Sequence, residues 1–131
     1  MRLLLDTHIA LWAVTDDPRL PVKAAETIAD PANDIFVSVA SLGEIAIKHA
    51  LARGRPTDMP ISARQALGHF SAAGYDLLDI EPSHAVAVEA LPKLHADPFD
   101  RILVAQALTV PLRLMTHDAR VARYSDTVIT V

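Results

Sequence analysis

Short apolar runs alternate with longer segments of helical periodicity along most of the chain. The first run, Arg2–Leu5, stops abruptly at Asp6, a pattern typical of a strand covered on both faces, which need not alternate polar and apolar residues. The same reasoning predicts strands over 2–5, 35–39, 76–80, 112–116 and 127–131. Helices are predicted over 7–12, 22–29, 41–52, 62–73, 82–91, 98–108 and 119–124.

The alternation of strands and helices predicts an α/β fold with a mainly parallel sheet and helices on both faces. The most loop-like stretch, 53–60, joins two helices and is not interpreted as a domain boundary. A length of 131 residues suits one core. We therefore expect a single domain over 1–131.

Composition excludes several classes of protein. Hydrophobic residues make up 51% of the chain and aromatic residues only 5%, so a mainly aliphatic core is expected. The absence of cysteine excludes disulfides and thiolate metal sites. No apolar run approaches the roughly 20 residues that span a bilayer, and Asp6 interrupts any signal-peptide core. We expect a cytoplasmic protein without a membrane partner.

The net charge of −4 at first argues against a nucleic-acid partner. Four acidic residues at predicted strand–helix joints carry as much charge as this total: Asp6, Glu44, Asp100 and Asp118. If a metal neutralised that cluster, the rest of the surface would have no net charge. Net charge therefore leaves RNA binding open.

Each acidic joint has a structural explanation of its own. Aspartate is a preferred helix N-cap, which suits Asp6, Asp97 and Asp118. Ser41 and Glu44 match a capping box, in which Glu44 would reach back to the Ser41 amide. Taken singly, these residues are better explained as caps than as catalysts.

The acidic joints together suggest more than capping. Parallel strands bring their carboxyl ends to one edge of the sheet, so these joints should converge there. Clustered carboxylates repel one another unless a cation neutralises them, and hard oxygen ligands suit Mg²⁺ or Mn²⁺. Such ions can activate water for phosphodiester cleavage.

At this point the chain resembles a known family, the PIN-domain ribonucleases, and within it the VapC-type toxins of bacterial toxin–antitoxin pairs. The similarity spans essentially the full length, and its most specific segment is Asp97-Pro98-Phe99-Asp100-Arg101. The other segments that carry it are Leu4-Leu5-Asp6-Thr7-His8, Ser38 and Ser41 before Glu44-Ile45-Ala46, and Leu114-Met115-Thr116-His117-Asp118.

The resemblance implies a three-layer α/β/α fold and a Mg²⁺-dependent endoribonuclease that acts as a toxin, with Mn²⁺ a possible substitute. It also implies inhibition by a cognate antitoxin that inserts a segment near the site. A homodimer is expected on the same grounds.

The resemblance also assigns roles to individual residues, all of them catalytic or metal-binding. Asp6 and Asp100 would bind metal directly. Glu44 would bind metal through water or orient the nucleophile, and Asp118 would complete the cluster or hold a second ion. Asp97 is expected to cap its helix, with a ligand role as the minority reading.

Neighbouring polar residues are secondary candidates. Thr7 and Thr116 could donate hydrogen bonds to carboxylates or to metal-bound water, or act only as local caps. Arg101 could contact a substrate phosphate, although an ion pair with a site carboxylate is the expected role in the free protein.

Three histidines flank the acidic joints, but they lack the helical spacing of a paired metal site. We expect His8, His95 and His117 to be ordinary supporting or surface residues rather than ligands in a mixed site. A further basic group could track the RNA backbone or simply form a solvated face: Lys48, Arg53 and Arg55.

Two other functions remain as alternatives. A phosphotransfer receiver domain also groups acidic residues at strand ends, but it needs a lysine at a late strand end, and none follows Lys93. A catalytically silent PIN-like module that binds RNA or protein would not need the intact acidic set. Metal titration separates this module from the nuclease.

Overall fold

The computed structural model describes all residues from 1 to 131. Its strands are β1 (Arg2–Leu5), β2 (Asp34–Ser38), β3 (Asp76–Leu78), β4 (Arg113–Thr116) and β5 (Ile129–Thr130). Its helices are α1 (Thr7–Val14), α2 (Val22–Ala29), α3 (Val39–Ala50), α4 (Ala63–Ala72), α5 (Pro82–Ala87) and α6 (Pro98–Thr109). Short 3₁₀ turns follow at Val88–Ala90 and Val121–Tyr124.

The five strands form one sheet in the order β3-β2-β1-β4-β5, and every pair is parallel. The first strand lies at the centre, between β2 and β4. Strands β2 and β3 lie on one side of β1, and the chain then crosses over to place β4 and β5 on the other side. The order of strands therefore reverses its direction at β1. In open α/β sheets such a switch opens a crevice beyond the carboxyl ends of the strands.

The central strand supplies both cores of the molecule. Leu3 and Leu5 pack among α1, α2, α3 and α4, whereas Leu4 faces the core formed with α6. All three side chains are fully buried. Helices therefore cover both faces of the sheet, and the predicted α/β/α architecture is confirmed.

Most element boundaries agree with the sequence within two residues, but some predictions were wrong. The helix predicted from residue 41 begins at Val39, because the Ser38 side chain accepts a hydrogen bond from the Ala40 amide and caps it. The helix predicted over 82–91 ends at Ala87 and tightens into a 3₁₀ turn, and the one predicted over 119–124 is only a 3₁₀ turn. No helix is both long and apolar enough to cross a membrane.

The buried centre of the sheet predicts a strong effect of truncation. Leu4→Ala should lower the free energy of unfolding by about 2–5 kcal/mol, because it removes buried methyl groups and leaves a cavity. Leu108→Ala, at a helix position that is 48% exposed, is the matched control and should change it by less than about 1 kcal/mol. Urea denaturation measures both, and equal effects would contradict the two-sided burial of β1.

Candidate metal and active site

A cleft of about 550 Å³ opens at the carboxyl ends of the central strands. It is lined by five carboxylates: Asp6, Glu44, Asp97, Asp100 and Asp118. Three basic side chains and three histidines also line it: Arg19, Lys48, Arg120, His8, His95 and His117. The four acidic residues singled out in the sequence thus come together from four separate segments, as the parallel topology requires.

Asp6 occupies the end of β1 and is held by folding itself. One carboxylate oxygen accepts the Ile9 amide at 2.9 Å and caps α1, and the other accepts the Thr116 hydroxyl at 2.6 Å. Both the predicted cap and the predicted threonine contact are therefore present. The residue is 8% exposed, and this burial raises the pKa of Asp6 above its ordinary value, against the opposing effect of its hydrogen bonds.

Glu44 does not form the predicted capping box with Ser41, because the helix already begins at Val39 and both residues lie inside it. Its carboxylate instead accepts the Thr7 hydroxyl at 2.6 Å and pairs with Lys48 at 2.6 Å, one helical turn away. Ser41 Oγ lies 2.9 Å from Thr7 Oγ1. Glu44 is buried, so these contacts fix the direction of its carboxylate.

Asp97 is the cap that the sequence predicts: one oxygen accepts the amides of Phe99 and Asp100 at the start of α6. This places Asp100 in the first turn, where its carboxylate meets His95 Nε2 at 2.7 Å. Burial raises the pKa of Asp100, and the charges of Asp97 and Asp6 raise it further, although His95 opposes the shift.

Asp118 is the most solvated member of the cluster, with a side chain 28% exposed. Its carboxylate accepts hydrogen bonds from the Arg120 amide and guanidinium at 2.9–3.1 Å. The hydrogen bonds from Arg120 hold the pKa of Asp118 below its usual range. The second Asp118 oxygen lies 3.5 Å from His95 Nε2.

Arg101 does not form the expected ion pair. Its guanidinium is 3.0–3.5 Å from three carbonyl oxygens and one hydroxyl, those of Val88, Pro92, His95 and Tyr124. The donors are therefore engaged with the loop before α6 instead of a carboxylate. Of the basic group predicted near RNA, Lys48 lines the cleft, whereas Arg55 pairs with Asp58.

Of the three histidines that flank the acidic joints, only His95 lies within hydrogen-bond distance of a site carboxylate, and the sequence did not single it out. Its side chain is only 7% exposed and faces two of the four acidic residues, whereas His8 and His117 are exposed and His117 contacts the Val131 carbonyl. The available signal was its place in the short loop directly before the Asp97 cap. Helical spacing rules do not cover that loop, because its path depends on the Arg101 contacts.

The donor set fits a divalent cation. Glu44 and Asp118 already have Lys48 and Arg120 as partners, but no lysine or arginine pairs with Asp6 or Asp100. Carboxylate oxygens gathered in this way are the ligands that Mg²⁺ and Mn²⁺ prefer. Burial raises the pKa values of Asp6 and Asp100, and a cation would stabilise the ionised carboxylates that burial disfavours.

Comparison with known proteins agrees with this arrangement. Residues 3–126 match the family model of the PIN domain. Ribonuclease VapC22 of Mycobacterium tuberculosis is 32% identical over 120 residues, which cover 90% of this chain and 88% of that protein. This chain belongs to the PIN-domain family of VapC ribonucleases.

Solved structures with the same PIN fold include two toxin–antitoxin complexes. VapBC2 from Rickettsia felis, bound to a DNA fragment from its promoter, aligns with a TM-score of 0.71 at 18% identity and covers 100% of this chain and 98% of that one. A toxin–antitoxin complex from Klebsiella pneumoniae aligns with a TM-score of 0.64 at 19% identity, covering 98% and 96%. At these identities the likeness concerns the fold.

The burial of Asp6 in this PIN domain predicts a gain of stability when its charge is removed. Because the pKa of Asp6 is raised on folding, its ionised form destabilises the metal-free protein above the ordinary value of 3.8. Asp6→Asn keeps a good N-cap and should therefore raise the melting temperature at pH 7 in EDTA.

The pH dependence tests the cause. The advantage of Asp6→Asn should shrink as the pH falls through the raised folded pKa and vanish below about 3.8, where Asp6 is protonated in both states. Calorimetry over this range measures the difference. A variant less stable than the native protein at pH 7 in EDTA would contradict the argument.

Proposed function

We propose that this chain is a divalent-metal-dependent endoribonuclease and the toxin of a toxin–antitoxin pair, with Mg²⁺ as its ion and Mn²⁺ able to replace it. The observation that carries the proposal is the cleft in which the buried Asp6 and the half-buried Asp100 have no lysine or arginine partner. Family membership and the name of the relative from Mycobacterium tuberculosis support the same activity.

Asp6 and Asp100 hold the cation, and Asp118 completes the set of ligands. A divalent ion in such a site supplies Lewis acidity toward a phosphodiester and acidifies water at neutral pH. The protein's own contribution is positioning: Thr116 fixes Asp6, and the Asp97 cap fixes the turn that carries Asp100. No serine or cysteine nucleophile is needed.

Glu44 orients the attacking water. Its carboxylate is already held by Thr7 and by Lys48, so it is available as a fixed hydrogen-bond acceptor and need not be a direct ligand. Burial lowers the pKa of Lys48, but the contact with Glu44 and the negative charges of Asp97 and Asp100 outweigh this effect and raise the pKa overall. Lys48 therefore keeps its positive charge in the cleft. Lys48 and Arg120 supply positive charge for the RNA backbone.

Cleavage of RNA is the decisive assay. The native protein should cut a mixed pool of structured RNAs at discrete positions with Mg²⁺ and not with EDTA. Asp6→Asn and Asp100→Asn should each lower the rate by more than the roughly 10–100-fold caused by losing an outer-sphere partner, because both remove a direct ligand.

The matched control is Asp34→Asn, at an exposed aspartate that begins β2 outside the cleft. It should cleave at the native rate. Native cleavage by Asp6→Asn would refute the assignment. Failure of the native protein to bind a divalent ion would favour the silent PIN-like module that binds RNA or protein.

The proposed macromolecular partners are a second copy of the chain and a cognate antitoxin. The fold is shared with toxin–antitoxin complexes, and exposed apolar side chains occur on the adjacent helices α3 and α4, at Ile47, Leu51 and Leu67. An acidic cleft also suits a cationic side chain from an inhibitory segment.

Light scattering on the antitoxin-free protein tests the homodimer. The measured mass should be twice that of one chain at micromolar concentration and should not depend on Mg²⁺, since the proposed contact uses the exposed apolar side chains and not the cleft carboxylates. A mass of one chain over the whole accessible concentration range would refute the dimer.

A further inference from the structure

The imidazole of His95 lies against the two carboxylates that belong to different segments of the site. Its Nε2 atom is 2.7 Å from Asp100 and 3.5 Å from Asp118, and one donor atom from each of the three residues lies within 4.8 Å of the others. The His95 side chain is 7% exposed, against 25% for Asp100 and 28% for Asp118. In this group the imidazole of His95 is therefore buried, whereas the two carboxylates are partly open to solvent.

The position of the His95 side chain is fixed by contacts that its backbone carbonyl makes. The His95 carbonyl oxygen is 3.5 Å from Arg101 Nη1 and 3.4 Å from the Tyr124 hydroxyl, and these two side chains are themselves 3.1 Å apart. Arg101 also holds the carbonyls of Val88 and Pro92. A guanidinium that binds several backbone carbonyls is an anchor for the loop, and here the loop presents His95.

The other carboxylates of the cleft do not share this arrangement. Both oxygens of Asp6 have protein donors, Ile9 and Thr116, and Glu44 is occupied by Thr7 and Lys48. His95, Asp100 and Asp118 are instead the group of possible metal ligands whose donor atoms all lie within 4.8 Å of one another.

We infer that His95 Nε2 joins Asp100 and Asp118 as a ligand of the cation that Asp6 also holds, so that the site has a mixed nitrogen and oxygen donor set with a higher affinity for Mn²⁺ than for Mg²⁺, while either ion can support the proposed activity. This rests on the proposed metal-dependent function. Imidazole suits first-row transition metals, whereas Mg²⁺ favours oxygen and water. Ligation uses the Nε2 lone pair, so the proton that lies between Nε2 and Asp100 in the 2.7 Å hydrogen bond is displaced when a cation binds, and the neutral ring then carries its proton on Nδ1.

The structure also assigns a positioning role to Arg101 and Tyr124. Both side chains contact the His95 carbonyl, and neither forms a hydrogen bond with the carboxylate of Asp100 or Asp118, so their role is to position the histidine. Loss of the Tyr124 hydroxyl removes one of the two contacts to the His95 carbonyl and leaves the aromatic ring in place.

Metal binding without RNA tests the inference. Mn²⁺ and Mg²⁺ are titrated separately into purified native protein by calorimetry, and pulsed electron paramagnetic resonance of the Mn²⁺ complex reports coupling to a ligand nitrogen. Native protein should show that coupling, and labelling histidine with ¹⁵N should change it. This measurement needs no substitution and so does not depend on a variant that folds.

Variants then identify the residue. His95→Gln should lose the nitrogen coupling and weaken Mn²⁺ binding by more than the roughly 10–100-fold typical of losing an outer-sphere partner, with a smaller change for Mg²⁺. His117→Gln, at an exposed histidine that lines the same cleft, is the matched control and should keep both the coupling and the native affinities. Tyr124→Phe should keep the coupling and weaken Mn²⁺ binding less than His95→Gln does.

The outcomes separate this inference from the proposed function. Mn²⁺ binding without histidine coupling, or coupling that survives in His95→Gln, would overturn the ligand role while Mg²⁺-dependent cleavage of RNA left the nuclease intact. Equal weakening of both ions in His95→Gln would overturn the preference for Mn²⁺. Absence of any divalent binding by the native protein would refute the nuclease and this inference together.

Discussion

The carboxylate of Asp6 is dehydrated by the fold before any ligand arrives, and the rest of the site is arranged around that constraint. Asp6 directly follows β1, and helices cover both faces of that strand. The chain therefore leaves the sheet at a position that packed helices cover. The Thr116 hydroxyl and the Ile9 amide compensate part of the lost solvation, yet the pKa remains raised. A cation is the simplest way to stabilise the remaining charge, which ties the chemistry of the cleft to the packing of β1.

Capping and chemistry are combined in the same residues rather than competing for them. Asp6 caps α1 with one oxygen and accepts the Thr116 hydroxyl with the other, at the edge of the cleft, and the Asp97 cap sets the turn that presents Asp100. Hydrogen bonds that the helices need in any case thus also orient the carboxylates. The positive charges are divided similarly: Lys48 and Arg120 face the cleft, whereas Arg101 serves the backbone of the His95 loop.

Sequence reasoning succeeded where a signal was local. The apolar run before Asp6 and the Asp97 cap follow from neighbouring residues, and the structure contains both. Sequence reasoning failed where a side chain could bind either a local or a distant partner. Glu44 matched a capping box, but Thr7 lies 37 residues away and offers a buried donor, while Lys48 supplies a charge that the Ser41 amide cannot match.

The amino-acid sequence by itself determined where the strands lie, that Asp6 and Asp97 cap helices and, through the alternation of elements, that the sheet is parallel. Those features depend on a few neighbouring residues and on periodicity. Only the tertiary structure decided the strand order, the engagement of Arg101 with backbone carbonyls, and the burial of His95 beside Asp100 and Asp118. These features depend on contacts between residues that are distant in the chain, which set the path of a loop. The periodicity of a sequence does not indicate such contacts.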